Sequence, residues 1–172
     1  MKATGIVRRI DDLGRVVVPK EIRKTLRIRE GDPLEIFTDR EGQIILKKYS
    51  PMMELGSFAK QYAESVAQTM NQKVAVSDRD QIIAVAGGGK RELLGKTISR
   101  QLEEMIINRE NSIQAGLDKK TIPLISGDED SYSAQAIYPI CCEGDCIGAV
   151  ILYSRENQTR FSETEYKAAA CA

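Results

Sequence analysis

Apolar and polar residues alternate with a period of two through most of the first 50 positions. Gly5 to Ile10 opens the pattern, with Ile6, Arg8 and Ile10 on one face and Val7 and Arg9 on the other. Asp11-Asp12-Leu13-Gly14 supplies turn chemistry, and the β-branched Val16 to Val18 predicts a returning strand. Pro19 suits the first position of a short helix. On that helix Ile22 and Leu26 share one face, and Lys20, Arg23, Lys24 and Arg27 form a cationic ridge on the other. Arg29 to Asp32 turns the chain, Pro33 to Thr38 alternates again, Asp39 to Gly42 makes a second tight connection, and Gln43 to Tyr49 predicts a last strand. Four short strands and a two-turn helix make a core too small to stand without a staple, a metal or a partner subunit. The segment has neither cysteine nor histidine, so dimerisation is the expected solution.

The period changes at Ser50-Pro51, a helix cap followed by proline at the first helical position. Leu55, Phe58, Tyr62, Val66 and Met70 then recur at helical spacing, with Ala59, Ala63 and Ala67 beside them. This predicts a connecting helix over 51–71, about 30 Å long at the usual rise per residue. The helix is expected to face the core of the second domain, and its alanine-lined stripe would also permit close pairing between subunits. Beyond it, 73–86 reads as strand, turn, strand, Gly87 to Gly89 as a loop, and Ile98 to Ile107 as a helix. Strands are predicted at Thr121 to Ile125, Ser133 to Ile140 and Ile147 to Tyr153, and Ser162 with Glu165 forms a capping box for a last helix. The expected architecture is therefore two domains, 1–50 mostly β and 51–172 an α+β sheet domain.

Charge sharpens this division. Residues 1–29 carry nine Lys/Arg against three Asp/Glu, a net of +6, while the whole chain has 25 of each. A neutral total conceals a basic segment joined to an acidic remainder, as expected of a nucleic-acid-binding module fused to another domain. Taken singly, each Lys or Arg reads as a solvated charge; the unbalanced cluster points to a polyanion. No basic-then-apolar leader opens the sequence, and the apolar run Ile147 to Tyr153 is far too short to cross a bilayer, so a cytoplasmic location is expected.

Residues 1–50 resemble the AbrB-type swapped-hairpin DNA-binding domain of bacterial transition-state regulators, through GIVR at 5–8, DDLGRVVVP at 11–19, EIRKTL at 21–26, and LEIF followed by IILKKY. The resemblance implies that two chains interleave their hairpins into one barrel-like dimer. It also implies that DNA is contacted from the first strand, after the first turn and on the short helix, which here means Arg8, Arg15, Arg23 and Lys24. Lys24 stands where close relatives often carry arginine; it keeps the charge without the bidentate fork. The second half resembles GAF-type sensory domains. The two halves in this order are similar to sporulation-stage transcription regulators that both activate and repress, with a final helix that is short beside theirs. This implies double-stranded DNA, A/T-rich and deformable, as the partner. It further implies a C-terminal domain that joins dimers into tetramers or holds a small regulatory ligand.

Other chemistry is poorly supplied. The chain has no histidine, which removes His-based catalytic and metal sites, and no nucleophile–base pair stands out, so neither enzyme nor cofactor is expected. Gly95-Lys96-Thr97 invites a phosphate-loop reading, but five bulky residues separate Gly95 from Gly89 where the motif needs four. Cys141, Cys142 and Cys146 cluster at a turn without a fourth ligand, so burial on a strand is the default and no metal is expected; a reversible disulfide would overturn that default. Asp128, Glu129 and Asp130 read as a solvated acidic loop. The competing function is an antitoxin-like protein-binding module on the same scaffold, although antitoxin tails are usually polar and disordered whereas this half is regularly patterned.

Overall fold

Two stretches of chain fold upon themselves, Met1–Tyr49 and Ser50–Ala172. The computed structural model describes residues 5–115, 121–128, 132–142, 144–156 and 161–170.

In the first unit, α1 (Lys20–Thr25) precedes an antiparallel hairpin of β1 (Leu34–Thr38) and β2 (Ile44–Lys48), registered with Ile36 opposite Leu46. Pro19 is the residue before the helix rather than its first member, and its carbonyl accepts the Arg23 N–H at 2.9 Å. Residues 5–10 and 16–18, expected as strands, join no ladder within the chain. Their side chains explain why: Val7 is 91% exposed and Val17 72%, so nothing in this unit covers the faces that would make them strands. Every buried apolar side chain among the described residues, Pro19 excepted, lies at or beyond Met52.

The second unit is built on one antiparallel sheet. Its strands are β3 (Lys73–Asp78), β4 (Ile82–Ala86), β5 (Ser112–Ala115), β6 (Ala134–Cys142) and β7 (Asp145–Ser154), in spatial order β4-β3-β7-β6-β5. Pro139 is tolerated in β6 because the β5 ladder ends at Ile137, so the missing N–H deprives no partner on that side. One sheet face is covered by α3 (Gly56–Met70) and α6 (Glu163–Ala170), through Ala59, Ala63, Ala67 and Ala169 against Val74, Val76, Ala84, Ala136, Val150 and Leu152. The Tyr62 hydroxyl donates to the Ala168 carbonyl at 2.9 Å and ties the two helices together. The other face meets α4 (Lys90–Leu93), α5 (Arg100–Asn108) and the stretch 121–126, through Leu93, Ile98, Leu102, Ile106 and Leu124.

Several expectations are corrected here. The connecting helix is divided into α2 (Pro51–Glu54) and α3 at Leu55, which precedes Gly56. The alanines of α3 are its most deeply buried residues: Ala63 is fully buried and Tyr62 and Val66 pack partly against the same core, while Phe58 is 65% exposed and Leu55, just before the helix, 47%. The small Ala84 on β4, opposite the alanines of α3, lets this helix pack closely on β3 and β4. Thr121 to Ile125 is not a strand. Its backbone is held by side chains instead: Gln135 Nε2 donates to the Ile122 carbonyl at 2.6 Å, its Oε1 accepts the Ile122 N–H at 2.9 Å, and Ser99 Oγ donates to the Pro123 carbonyl at 2.6 Å. β5 and α4 are additions to the predicted elements. The Ser162–Glu165 capping box is present, with Glu165 Oε2 accepting the Ser162 N–H at 2.7 Å and hydroxyl at 2.6 Å.

Candidate nucleic-acid interface

Arg8 and Arg15 flank a turn that Asp11 organises. Asp11 Oδ1 accepts the N–H groups of Leu13 (3.0 Å) and Arg15 (2.7 Å), and its Oδ2 takes the Arg15 Nε–H at 2.8 Å. Gly14, at φ 76°, closes the turn by donating to the Asp11 carbonyl at 3.0 Å. The bonds from the Arg15 backbone and guanidinium hold the Asp11 carboxyl below its ordinary value. Arg15 spends one of its five donors on this contact and remains 70% exposed, so an oriented guanidinium is presented to solvent. The same device recurs at Asp39, whose Oδ1 accepts Glu41 N–H (3.0 Å) and Gln43 N–H (2.9 Å), with Gly42 at φ 79°. Only the first copy has an arginine at the closing position. The repeated D-x-x-G spelling is visible in the sequence; that its first carboxylate fixes an arginine is visible only in the structure.

Arg23 and Lys24 lie exposed in the last turn of α1. Among the described residues, no carboxylate pairs with Arg8, Arg23 or Lys24. Arg27 leaves the predicted ridge, because the helix ends at Thr25 and Arg27 adopts a left-handed φ of 52°. Its carbonyl instead accepts Lys48 Nζ–H at 3.0 Å. Lys48 also pairs with Asp32 at 3.1 Å, and Asp32 accepts the Arg29 N–H at 2.8 Å, so the chain beyond the helix is fastened to β2. Burial of Asp32 opposes its ionisation, but the Arg29 N–H and the Lys48 ammonium outweigh it and hold the carboxyl below its ordinary value. The structure thus places the four predicted site residues in two groups, Arg8 with Arg15 and Arg23 with Lys24, on separate elements of one unit.

In the second unit, polar groups gather where β7 ends. Arg155 lies 5.1 Å from the Tyr132 ring centroid and pairs with Glu92 at 2.9 Å and Asp128 at 3.8 Å. The Tyr132 hydroxyl donates to Asp128 at 2.5 Å, so the Asp128 side chain, 6% exposed, belongs to a hydrogen-bonded network rather than a solvated loop. Glu129 and Asp130 lie outside the described residues. The Tyr153 hydroxyl donates to the Gly88 carbonyl at 3.0 Å, and burial pushes its pKa up to about 12. Gly95 N–H and the Lys96 carbonyl both bond to Ile82 of β4, at 2.8 and 2.9 Å, so this glycine–lysine pair is tied to the sheet rather than shaped around a phosphate. The cysteines also depart from expectation: Cys141 and Cys142 are exposed, and only Cys146 is buried.

A basic, turn-centred hairpin unit followed by an α+β sheet domain with helices on both faces defines an AbrB-type module joined to a GAF-like domain. The chain belongs to the family described as stage V sporulation protein T C-terminal, transcription factor, which matches residues 54–172. Residues 7–53 match the family described as antidote-toxin recognition MazE, bacterial antitoxin. Stage V sporulation protein T of Bacillus subtilis (strain 168) is 52% identical over 172 residues, covering all of this chain and 94% of that protein. The transition state regulatory protein AbrB of the same organism is 64% identical over 53 residues, 31% of this chain and 54% of its own length. In fold, the GAF domain of an Acinetobacter phosphoenolpyruvate-protein phosphotransferase superimposes with a TM-score of 0.54 at 14% identity, covering 71% of this chain and 76% of that one.

Proposed function

We propose that this transcription factor binds double-stranded DNA through Arg8, Arg15, Arg23 and Lys24 of two interleaved N-terminal units, and that its C-terminal domain joins dimers into tetramers or holds a small regulatory ligand. The observation that carries the reading is the first unit itself, with solvent-facing cations on an oriented turn and a short helix and no buried apolar core of its own. A second chain would cover the apolar faces and double the cationic surface. Affinity would rest on phosphate contacts and fall steeply with salt, with a log–log slope of about −7 if all eight cations of a dimer are engaged. A hairpin scaffold with no long recognition helix reads DNA shape and deformability more than base edges, which favours A/T-rich promoter segments. Binding would take place in the cytoplasm, and no helix among the described residues is long and apolar enough to cross a membrane.

The test is fluorescence anisotropy on an A/T-rich promoter fragment across a salt series, comparing the wild type with Arg8→Ala, Arg15→Ala and Arg23→Ala. Each variant should weaken binding and flatten the slope by about 2 per dimer. A correctly folded dimer that fails to bind at low salt would overturn the proposal. The match of residues 7–53 to an antitoxin family favours one competitor, a toxin-neutralising role. Copurification of a small partner in stoichiometric amount, with no DNA affinity, would establish that competitor instead.

A further inference from the structure

The hairpin of β6 and β7 carries three sulfurs near its turn. Cys141 stands directly opposite Cys146 in the ladder, with Cα atoms 3.9 Å apart, and the two are joined by a disulfide. Cys142, the next residue, keeps a free, exposed thiol. Cys141 is exposed while Cys146 is 8% exposed, so one sulfur of the pair is open to a reagent and the other is screened. The bond contributes little that the fold lacks. It closes a loop of sequence separation 5 that backbone pairing already closes, and cross-links over short loops remove the least chain entropy. A disulfide with one sulfur open to solvent can be attacked there and is of the exchangeable kind. Among the described residues, no group of three or more His, Cys, Asp and Glu is placed to hold a metal ion.

We propose that Cys141 and Cys146 form a reversible thiol–disulfide site that exchanges with low-molecular-weight disulfides and thiols, Cys141 being the entry sulfur and Cys146 the resolving one. In the dithiol form, the Cys141 thiolate attacks one sulfur of a disulfide RSSR. The RS–SR bond breaks, RS⁻ leaves and takes up a proton, and a mixed disulfide remains on Cys141. The Cys146 thiolate then attacks Cys141 Sγ and expels the second RS⁻, which is protonated in turn. Two protein thiols are oxidised by two electrons, RSSR is reduced to two RSH, and excess RSH reverses both steps. The hairpin also has a listener. Arg109, in a left-handed conformation (φ 58°) at the end of α5, donates from its guanidinium to the Gly144 carbonyl in the same turn. Closing or opening the sulfur pair therefore acts on the terminus of a helix that covers the sheet, where the Arg109 and Glu110 N–H groups bond to Ile106 and Met105 at 3.2 and 2.9 Å.

The experiment uses the full chain, reduced, freed of reductant and equilibrated in buffers of defined oxidised-to-reduced glutathione ratio, then alkylated and mapped by mass spectrometry. The expected product is the Cys141–Cys146 disulfide, with Cys142 alkylated as a free thiol. Cys146→Ser should stop at a glutathione adduct on Cys141, and Cys141→Ser should acquire glutathione on Cys146 at least tenfold more slowly. Because a variant could perturb the hairpin, early quenching of the wild type provides a second measure: the transient adduct should sit on Cys141, and amide exchange at Arg109 and Glu110 should slow as the disulfide closes. Adducts confined to Cys142, bonds to Cys171 in preference to Cys146, or a fully alkylated pair in excess glutathione disulfide would each overturn the proposal.

Discussion

Asp11 and Arg15 set two single-residue effects against each other. Removing the Asp11 charge beside Arg15, proposed above to contact DNA, should strengthen phosphate binding if only net charge mattered. The carboxylate, however, accepts two backbone N–H groups and the Arg15 guanidinium, and so shapes the turn that presents the arginine. We expect Asp11→Ala to weaken DNA binding severalfold in the anisotropy assay, and a gain in affinity would show the turn to be dispensable. Gly148 is a steric counterpart in the second unit. A Cβ there would collide with the Ser77 carbonyl oxygen on β3, a backbone atom with no rotamer to yield. Gly148→Ala should cost about 3 kcal/mol or more, read from denaturant midpoints. Asp78 makes a subtler case, because burial raises its pKa although Asp80 and Gln81 each donate a backbone N–H to it at 2.7 Å. A carboxyl raised in the folded state favours folding most below its unfolded value of 3.8 and loses that contribution as pH rises through the folded value. Asp78→Asn keeps an acceptor and removes the charge, so it should leave stability at pH 7 unchanged or higher. Asp78→Ala strands the donors and should cost about 1–3 kcal/mol.

At the scale of elements, the Asp32–Lys48 pair fastens the chain after α1 to β2, and its pH dependence has the opposite sign. Asp32 is held below 3.8, so its contribution is complete above that value and is lost as pH falls through the lower folded one. Asp32→Asn should therefore destabilise the β1–β2 hairpin by about 1–3 kcal/mol at pH 7 and differ little from the wild type in strong acid, as thermal melts followed by hairpin amide signals would register. The elements that the sequence announced are those whose signals are local: the two D-x-x-G turns, the Ser162–Glu165 cap, and the apolar β7. The misread ones depended on what lay opposite them. Helical spacing marks two stripes on 56–70, and only the facing strands β3 and β4, with Val74, Val76 and the small Ala84, decide that Ala59, Ala63 and Ala67 are buried deepest. Thr121 to Ile125 has the apolarity of a strand, but the Gln135 and Ser99 side chains claim its backbone groups. Arg27 continues the helical spacing of the ridge, but the helix ends before it, and a left-handed arginine has no spelling as plain as glycine.

For the molecule as a whole, the deepest division lies between a unit with a core and a unit without one. Twelve of the sixteen exposed large hydrophobic side chains among the described residues fall at or before Leu46, in a unit that also carries twelve Lys/Arg against eight Asp/Glu. A chain segment with this much exposed apolar surface would be prone to aggregate as a lone domain, and segments 5–10 and 16–18 would lack the neighbours that make strands. Both difficulties vanish if a second copy supplies those neighbours, since the same residues that go unpaired within one chain become the interior of two. Folding of this unit is then coupled to association, and its stability must depend on concentration as that of a self-sufficient domain does not. Each tenfold dilution should lower the free energy of the assembled pair by about 1.4 kcal/mol. Hydrogen exchange of the β1 and β2 amides, measured over a hundredfold range of protein concentration, reads this directly. Exchange should quicken on dilution, and Val17→Asp, placing a charge where an apolar partner is required, should quicken it at every concentration and abolish DNA binding together with it. Protection of those amides that is independent of concentration, down to dilutions where hydrodynamics reports a single chain, would mean that the first unit stands alone and that its exposed apolar faces serve some other partner.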